Sequence, residues 1–165
     1  MAKTYEPIAS HTLTGTTASY TFSSIPGTFT DLVAVAYVQD AIGQQNMYAR
    51  INSDTGNNYS STQIYGTGST ANSARLSNFG GGVQLGFTGA SSGSEFGITV
   101  AHFMSYANTS VYKTVLAAGA IASAYVARRV ALWRNTAAIT SLTFYCDAAS
   151  MTSGTTISLY GIKAA

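Results

Sequence analysis

The side chains able to act as acids, bases or metal ligands are few and scattered. The carboxylates are Glu6, Asp31, Asp40, Asp54, Glu95 and Asp147, joined by His11, His102 and Cys146. Glycoside hydrolysis needs two carboxylates held about 5–9 Å apart across a cleft. Most of these six flank turn-forming residues, where a solvated carboxylate is the expected state. No HxH or HExxH spacing occurs to seat a metal. His102 shares a strand face with Ile98 and Met104 and is expected to be a hydrogen-bonded core or interface histidine. His11 reads as an ordinary strand residue. Asn52-Ser-Asp54-Thr-Gly56 resembles the alternating oxygens of a calcium loop but lacks the closing bidentate Glu, so a tight Asx/Gly turn explains it as well. Gly80-Gly-Gly82 is followed by neither Lys-Ser/Thr nor a helix start, which leaves phosphate cradling unsupported. Cys146 sits in the apolar run Leu142–Cys146, where a small buried thiol is expected. No catalytic residue, metal or cofactor is assigned, and the chain is not expected to be an enzyme.

The richer signal is aromatic. The chain holds 11 Tyr, 7 Phe and one Trp, Trp133. Tyrosine is large, semi-rigid and amphipathic, and interfaces favour it. Tyr48, Tyr59, Tyr65 and Tyr125 lie in or near polar segments. With Arg128 and Arg129 they form a set of candidate interface residues for a protein partner or a sugar. The competing reading is that these tyrosines are partly buried in a sandwich.

The elements that must position these residues repeat with a period of two. Ala18, Tyr20 and Phe22 alternate with Ser19, Thr21 and Ser23; Leu142, Phe144 and Cys146 alternate with Ser141, Thr143 and Tyr145. Such alternation is what a strand with one face on a core produces. Leu32–Val38 is apolar on both faces, so it is expected to be central or to meet a neighbouring subunit. Breakers separate the runs: Ile25-Pro-Gly27, Asn52–Asn58, Gly66-Thr-Gly68, Gly80–Gly82, Gly89–Gly93 and Ser153-Gly154. Strands are predicted near 8–14, 18–23, 31–38, 47–51, 73–78, 97–106, 111–118, 124–133, 139–146 and 155–163. Ala117–Arg134 is alanine-rich and competes as a helix, but its apolar residues form no clean 3.6-residue stripe, so strands are favoured. Residues 52–95 carry few large apolar side chains and are expected to form long loops and short strands at one end. The fold class that follows is all-β: a two-sheet β-sandwich, of jelly-roll type, in one domain over 1–165.

Composition fits an assembly part. Charged residues make up 8% and hydrophobic residues 46%, against about 25% charged in an average soluble domain. Few charges give little opposition to association. The net charge of +2 rests on 14 side chains, with no basic run, so no nucleic-acid partner is expected. The N-terminal residues show no apolar signal region, and no stretch reaches 18 apolar residues, so neither export nor membrane insertion is expected.

Three stretches carry a family resemblance. Phe22-Ser-Ser-Ile-Pro-Gly-Thr-Phe-Thr-Asp-Leu32 is similar to a segment of small virion structural proteins of tailed bacteriophages. So is Asn52-Ser-Asp-Thr-Gly-Asn-Asn-Tyr59. So is the ending Ala138–Leu142 followed by Gly154–Lys163, with its Ser-Leu-Tyr-Gly-Ile element. The resemblance implies a virion protein made in the bacterial host cytoplasm: a capsid cement or decoration protein, homotrimeric and bound to the major capsid protein. The alternative it implies is a tail-fibre or host-adsorption domain that binds tail proteins and host surface glycan.

Overall fold

The computed structural model describes residues 4–90 and 93–163. Among them are 13 strands and no helix. In chain order they are β1 (Tyr5–Thr12), β2 (Ser19–Phe22), β3 (Asp31–Asp40), β4 (Asn46–Ile51), β5 (Tyr59–Gly66), β6 (Ala71–Phe79) and β7 (Val83–Phe87). Then follow β8 (Gly89–Ala90), β9 (Gly97–Phe103), β10 (Lys113–Ile121), β11 (Tyr125–Trp133), β12 (Leu142–Cys146) and β13 (Thr156–Ile162). They form a sandwich of two sheets. The larger runs β1-β13-β3-β9-β10-β11-β5-β6, with the two-residue β8 parallel to the end of β3. The smaller runs β2-β12-β4-β7.

The chain ends wrap. β1 and β3 flank β13 in one sheet while β2 and β4 flank β12 in the other, so successive strands alternate between layers as in a jelly roll. A meander of β9, β10 and β11 then widens the larger sheet, and the β5–β6 hairpin extends it. The all-β sandwich is therefore as the alternation required, and Leu32–Val38 lies in a central strand, β3. The alanine-rich stretch is the β10–β11 hairpin, paired from Lys113↔Trp133 to Ile121↔Tyr125. Its inward alanines, Ala117, Ala127 and Ala131, are each 3% exposed.

The core fills the space between the layers. Leu142, Phe144 and Ile51 of the small sheet and Leu32, Phe103 and Leu159 of the large one are all fully buried. Close approach between layers is set by glycine. A Cβ on Gly119 of β10 would stand 2.7 Å from Gly86 Cα of β7, closer than packed carbons tolerate.

One expectation is corrected. Residues 52–95 are not mainly loops: β5, β6 and β7 occupy 22 of them by their printed lengths of 8, 9 and 5. β6 is an edge strand whose side chains mostly face solvent, and the inward positions of β5 include Ser61 and Gln63. Apart from Tyr59 and Phe79 at the end that meets the core, these strands carry mostly small or polar residues, which is why the region's composition reads as loop.

Polar side chains fix the connections. Lys113 is fully buried, and its ammonium donates to the carbonyls of Asn108, Val111 (2.8 Å) and Thr136 (2.9 Å). The guanidinium of Arg134 donates to Asn57 O (2.6 Å), Asn78 Oδ1 (3.0 Å) and the Ser60 hydroxyl, tying the start of β5 to the end of β6.

Candidate functional site

Each carboxylate has a local partner or position that the fold explains. Glu6 pairs with Lys163 at 3.0 Å. Asp31 accepts from the Ser105 N–H and meets His102 Nε2 at 3.0 Å, so His102 is hydrogen-bonded and partly exposed on a sheet face. Asp40 is fully buried, accepting from the Ile42 and Gly43 N–H groups and the Thr88 hydroxyl. Glu95 accepts from the backbone and hydroxyl of Ser123. Asp147 is exposed just beyond β12. Asp54 accepts from Gly56 N–H (2.8 Å), Asn58 Nδ2 (2.9 Å) and Trp133 Nε1 (2.7 Å). A calcium ligand needs free lone pairs, and here three donors point at them, so the loop is an Asx turn. Among the described residues no three His, Cys, Asp or Glu side chains cluster as metal ligands would. Burial pushes the Cys146 thiol up to about 12, with the Asp40 charge adding to it, so the nucleophilic thiolate is suppressed. The letters Gly89–Gly93 fit a G-x-S-x-G nucleophile elbow, which requires a strand-to-helix turn. β8 leads into no helix among the described residues, and Ser91 lies outside them.

The first surface feature is the outer face of the larger sheet. Cross-strand register places its outward side chains in three rows. One runs Tyr37, Ile98, Ala120, Val126. The next runs Val35, Val100, Ala118, Arg128, Ile64, and the third Val33, His102, Leu116, Val130, Thr62. Strands buried on one side usually carry polar residues on the other. Here Ile64 and Val126 are 64% and 63% exposed, and Ile98, Val100, Leu116 and Val130 are exposed as well. Gly66 leaves a hollow of about 520 Å³ beside Ile64, Val126 and Arg128, and Ala118 and Ala120 leave one of about 220 Å³ beside Ile98, Val100 and Val126. Arg128 projects from the middle of this face, and its side chain makes no hydrogen bond or ion pair among the described residues. Contiguous exposed apolar patches on this scale mark interaction sites.

The second feature is a cleft of about 320 Å³ where the β5–β6 hairpin faces β4 and β7. Gln63, Tyr65 and Leu76 line one side, and Asn46, Gln84 and Phe87 the other, with Tyr125 at the end. The aromatic wall is ordered: Phe87 stacks on Tyr125 at 4.5 Å and meets Tyr65 edge-on at 6.3 Å. Gln84 Nε2 donates to Asn46 Oδ1 at 2.5 Å, and Gln63 Oε1 accepts from Arg129 Nε at 2.7 Å. The Asn46 amide nitrogen, Gln63 Nε2 and Gln84 Oε1 have no partner among the described residues. Burial lowers the Arg129 pKa to about 10, against a smaller opposing effect of Tyr48, so the group is still a cation at neutral pH.

The candidate interface residues divide. Tyr65 and Tyr125 line the cleft and Arg128 stands on the apolar face. Tyr59 is corrected: at 1% exposed it lies inside the fold, while Tyr48 and Arg129, at 4% and 3%, are buried too, Tyr48 in the wall of the cleft and Arg129 behind Gln63. Tyr48 is covered by Phe79 and Tyr145, each ring 5.5 Å away. The Tyr59 hydroxyl is satisfied by Ile51 and Asp54 backbone groups. Arg129 points inward because strand alternation sends neighbouring Arg128 out. The residues overlooked were the outward aliphatics Ile64, Ile98, Val100, Leu116, Val126 and Val130. The double-apolar runs signalled them, since a strand that is apolar on both faces leaves one face to find a partner.

No protein family model matches the chain, and no curated protein matches it. Among solved structures it is similar to exo-inulinase from Aspergillus awamori, at 12% identity and a TM-score of 0.44, covering 96% of this chain and 29% of that one. It is also similar to the galectin LEC-6 of Caenorhabditis elegans, at 10% identity and a TM-score of 0.34, covering 94% and 96% respectively. The chain thus spans less than a third of the inulinase.

Proposed function

We propose that this is a structural virion protein of a tailed bacteriophage, most concretely a capsid cement or decoration protein. It acts as a homotrimer on the major capsid protein, and the outer face of its larger sheet seats neighbouring copies of the chain. The observation that carries the reading is the three-row apolar face, with Ile64 and Val126 each more than 60% exposed. Burying such surface is favourable by about 25 cal/mol per Å² before the costs of association. Only 14 charged side chains oppose self-contact. The phage assignment itself rests on the sequence resemblances at Phe22–Leu32, Asn52–Tyr59 and the C-terminal end.

Two measurements test it. Sedimentation velocity on the purified chain should give a trimer. Labelling or reconstruction of virions should place it on the head. A monomer at all concentrations, or a chain found in no virion, removes the reading.

A second reading, a tail-fibre or host-adsorption domain that binds surface glycan, is favoured by the cleft. Aromatic faces beside unspent amide groups suit sugar rings and hydroxyls. Direct binding of the purified chain to host cells separates it from the first.

A further inference from the structure

Arg129 is a buried cation with no counter-charge. It is 3% exposed and, among the described residues, forms no ion pair. Its Nε donates to the neutral amide oxygen of Gln63 and its Nη1 to Leu85 O at 3.3 Å. The guanidinium carbon lies 4.5 Å from the Phe87 ring centre. Its Nη2 is buried and has no acceptor among the described residues. Buried charges are ordinarily paired, and buried N–H groups ordinarily find acceptors. The exception lies directly behind the cleft: Arg129 does not line it, but two of the groups in contact with its guanidinium, Gln63 and Phe87, are cleft walls.

We propose that the cleft binds a carboxylated sugar, a uronic-acid type of unit, whose carboxylate completes the pairing of Arg129. The inference rests on the glycan-binding reading of the cleft. Gln63 Oε1 occupies a position a carboxylate oxygen would take, and it is the weaker acceptor, since charge-assisted bonds are roughly twice as strong as neutral ones. Swinging that amide aside opens both Nε and Nη2 to a two-oxygen acceptor, the geometry a guanidinium fork matches best. The remaining contacts are those a sugar ring needs. The Phe87–Tyr125 pair and Tyr65 present aromatic surface. The unpartnered nitrogens of Asn46 and Gln63 donate to hydroxyls, and Gln84 Oε1 accepts from one.

The test is a titration of the full chain, read by backbone amide NMR shifts, with glucuronic acid, glucose and acetate as probes. Glucuronic acid should shift the amides of Gln63, Tyr65, Gln84 and Phe87 saturably, about tenfold more tightly than glucose, in line with the loss of one charge-assisted contact. Equal affinity for glucuronic acid and glucose overturns the carboxylate assignment and leaves the glycan reading standing. Acetate binding as tightly as glucuronic acid overturns the sugar. No saturable shift at these residues with any probe overturns both. Arg129→Gln should bring the glucuronic acid and glucose affinities together, removing the preference for glucuronic acid. A retained preference in that variant overturns the role of Arg129. Tyr125→Ala, at the rim, should weaken both sugars about tenfold; unchanged affinity overturns the placement of the ring. If Arg129→Gln does not fold, the comparison of probes on the unaltered chain decides alone.

Discussion

The indole nitrogen of Trp133, on β11, donates to Asp54 Oδ2 at 2.7 Å, fastening the 52–58 turn to the larger sheet. The same carboxylate accepts from Asn58 and Gly56. Burial raises the Asp54 pKa, but these three hydrogen bonds outweigh it and hold the carboxyl below its ordinary 3.8. A depressed folded value means that the contribution is complete above the unfolded value and is lost as pH falls through the folded one. Asp54→Ala should cost about 2 kcal/mol at neutral pH, the worth of a hydrogen-bonded charge. Denaturant unfolding followed by the fluorescence of Trp133 checks it. Asp54→Asn should flatten the acid limb of stability below pH 3.8; an unchanged limb would remove the assignment.

Lys113 closes the 104–112 connection from within. Replacing it by Met keeps the stem and strands three carbonyls that now hold the ammonium. The expected loss is about 3 kcal/mol, as for breaking a buried charged group's bonds. Thermal or denaturant unfolding of Lys113→Met measures it, and a loss under about 0.5 kcal/mol, the range of ordinary surface changes, would contradict it.

Gly119 and Ala118 are adjacent on β10 and face opposite sides of the sheet, Gly119 toward the smaller sheet and Ala118 outward. Gly119→Val pushes a branched side chain onto Gly86 and Thr99 of the facing and neighbouring strands, at a cost of about 3 kcal/mol for overpacking. Ala118→Val points outward and should stay within about 0.5 kcal/mol. Equal effects from the two would mean that the layers do not approach here as described.

The apolar face is separable from the core. Val126→Lys and Ile64→Lys alter side chains that are more than 60% exposed, so folding stability should change by only about 0.5 kcal/mol. Self-association should nonetheless fall. Sedimentation velocity of the double variant beside the unaltered chain gives the answer, and an unchanged oligomer would place the contact elsewhere.

Cys146 should resist thiol reagents while the chain is folded. Burial holds its pKa near 12, so thiolate at neutral pH is scarce. Labelling with a thiol-specific reagent should follow global unfolding; fast labelling of the native chain would contradict the burial.

Strand alternation made much of this legible. Leu142, Phe144 and Cys146 turn inward as their spacing required, and Leu32–Val38 is a central strand. Which tyrosines reach the surface was not legible. Tyr59 is flanked by Asn58 and Ser60, yet its ring is buried because its hydroxyl meets backbone groups supplied by the 51–54 turn. Such partners come from tertiary structure, and polar neighbours in sequence do not report them. Strand β6 was expected near 73–78, but β5 was missed for a related reason: a β-strand needs paired backbone, and its Ser, Thr and Gln positions read as loop. Arg128 and Arg129 show the converse. Adjacent and chemically identical, they are separated into outside and inside by a single step of the pleat.

The larger sheet ends at β1 and β6. β1 carries Pro7 and an irregular register between Pro7 and Ala9, and β6 carries Arg75 with exposed polar side chains along its length. Proline, kinks and charge on a rim all discourage a further strand from zipping on. Growth by lateral addition, the route to filaments and amyloid, is therefore obstructed at both margins. Copies that met by their flat sides about a rotation axis, as proposed, would instead make a finite, closed particle.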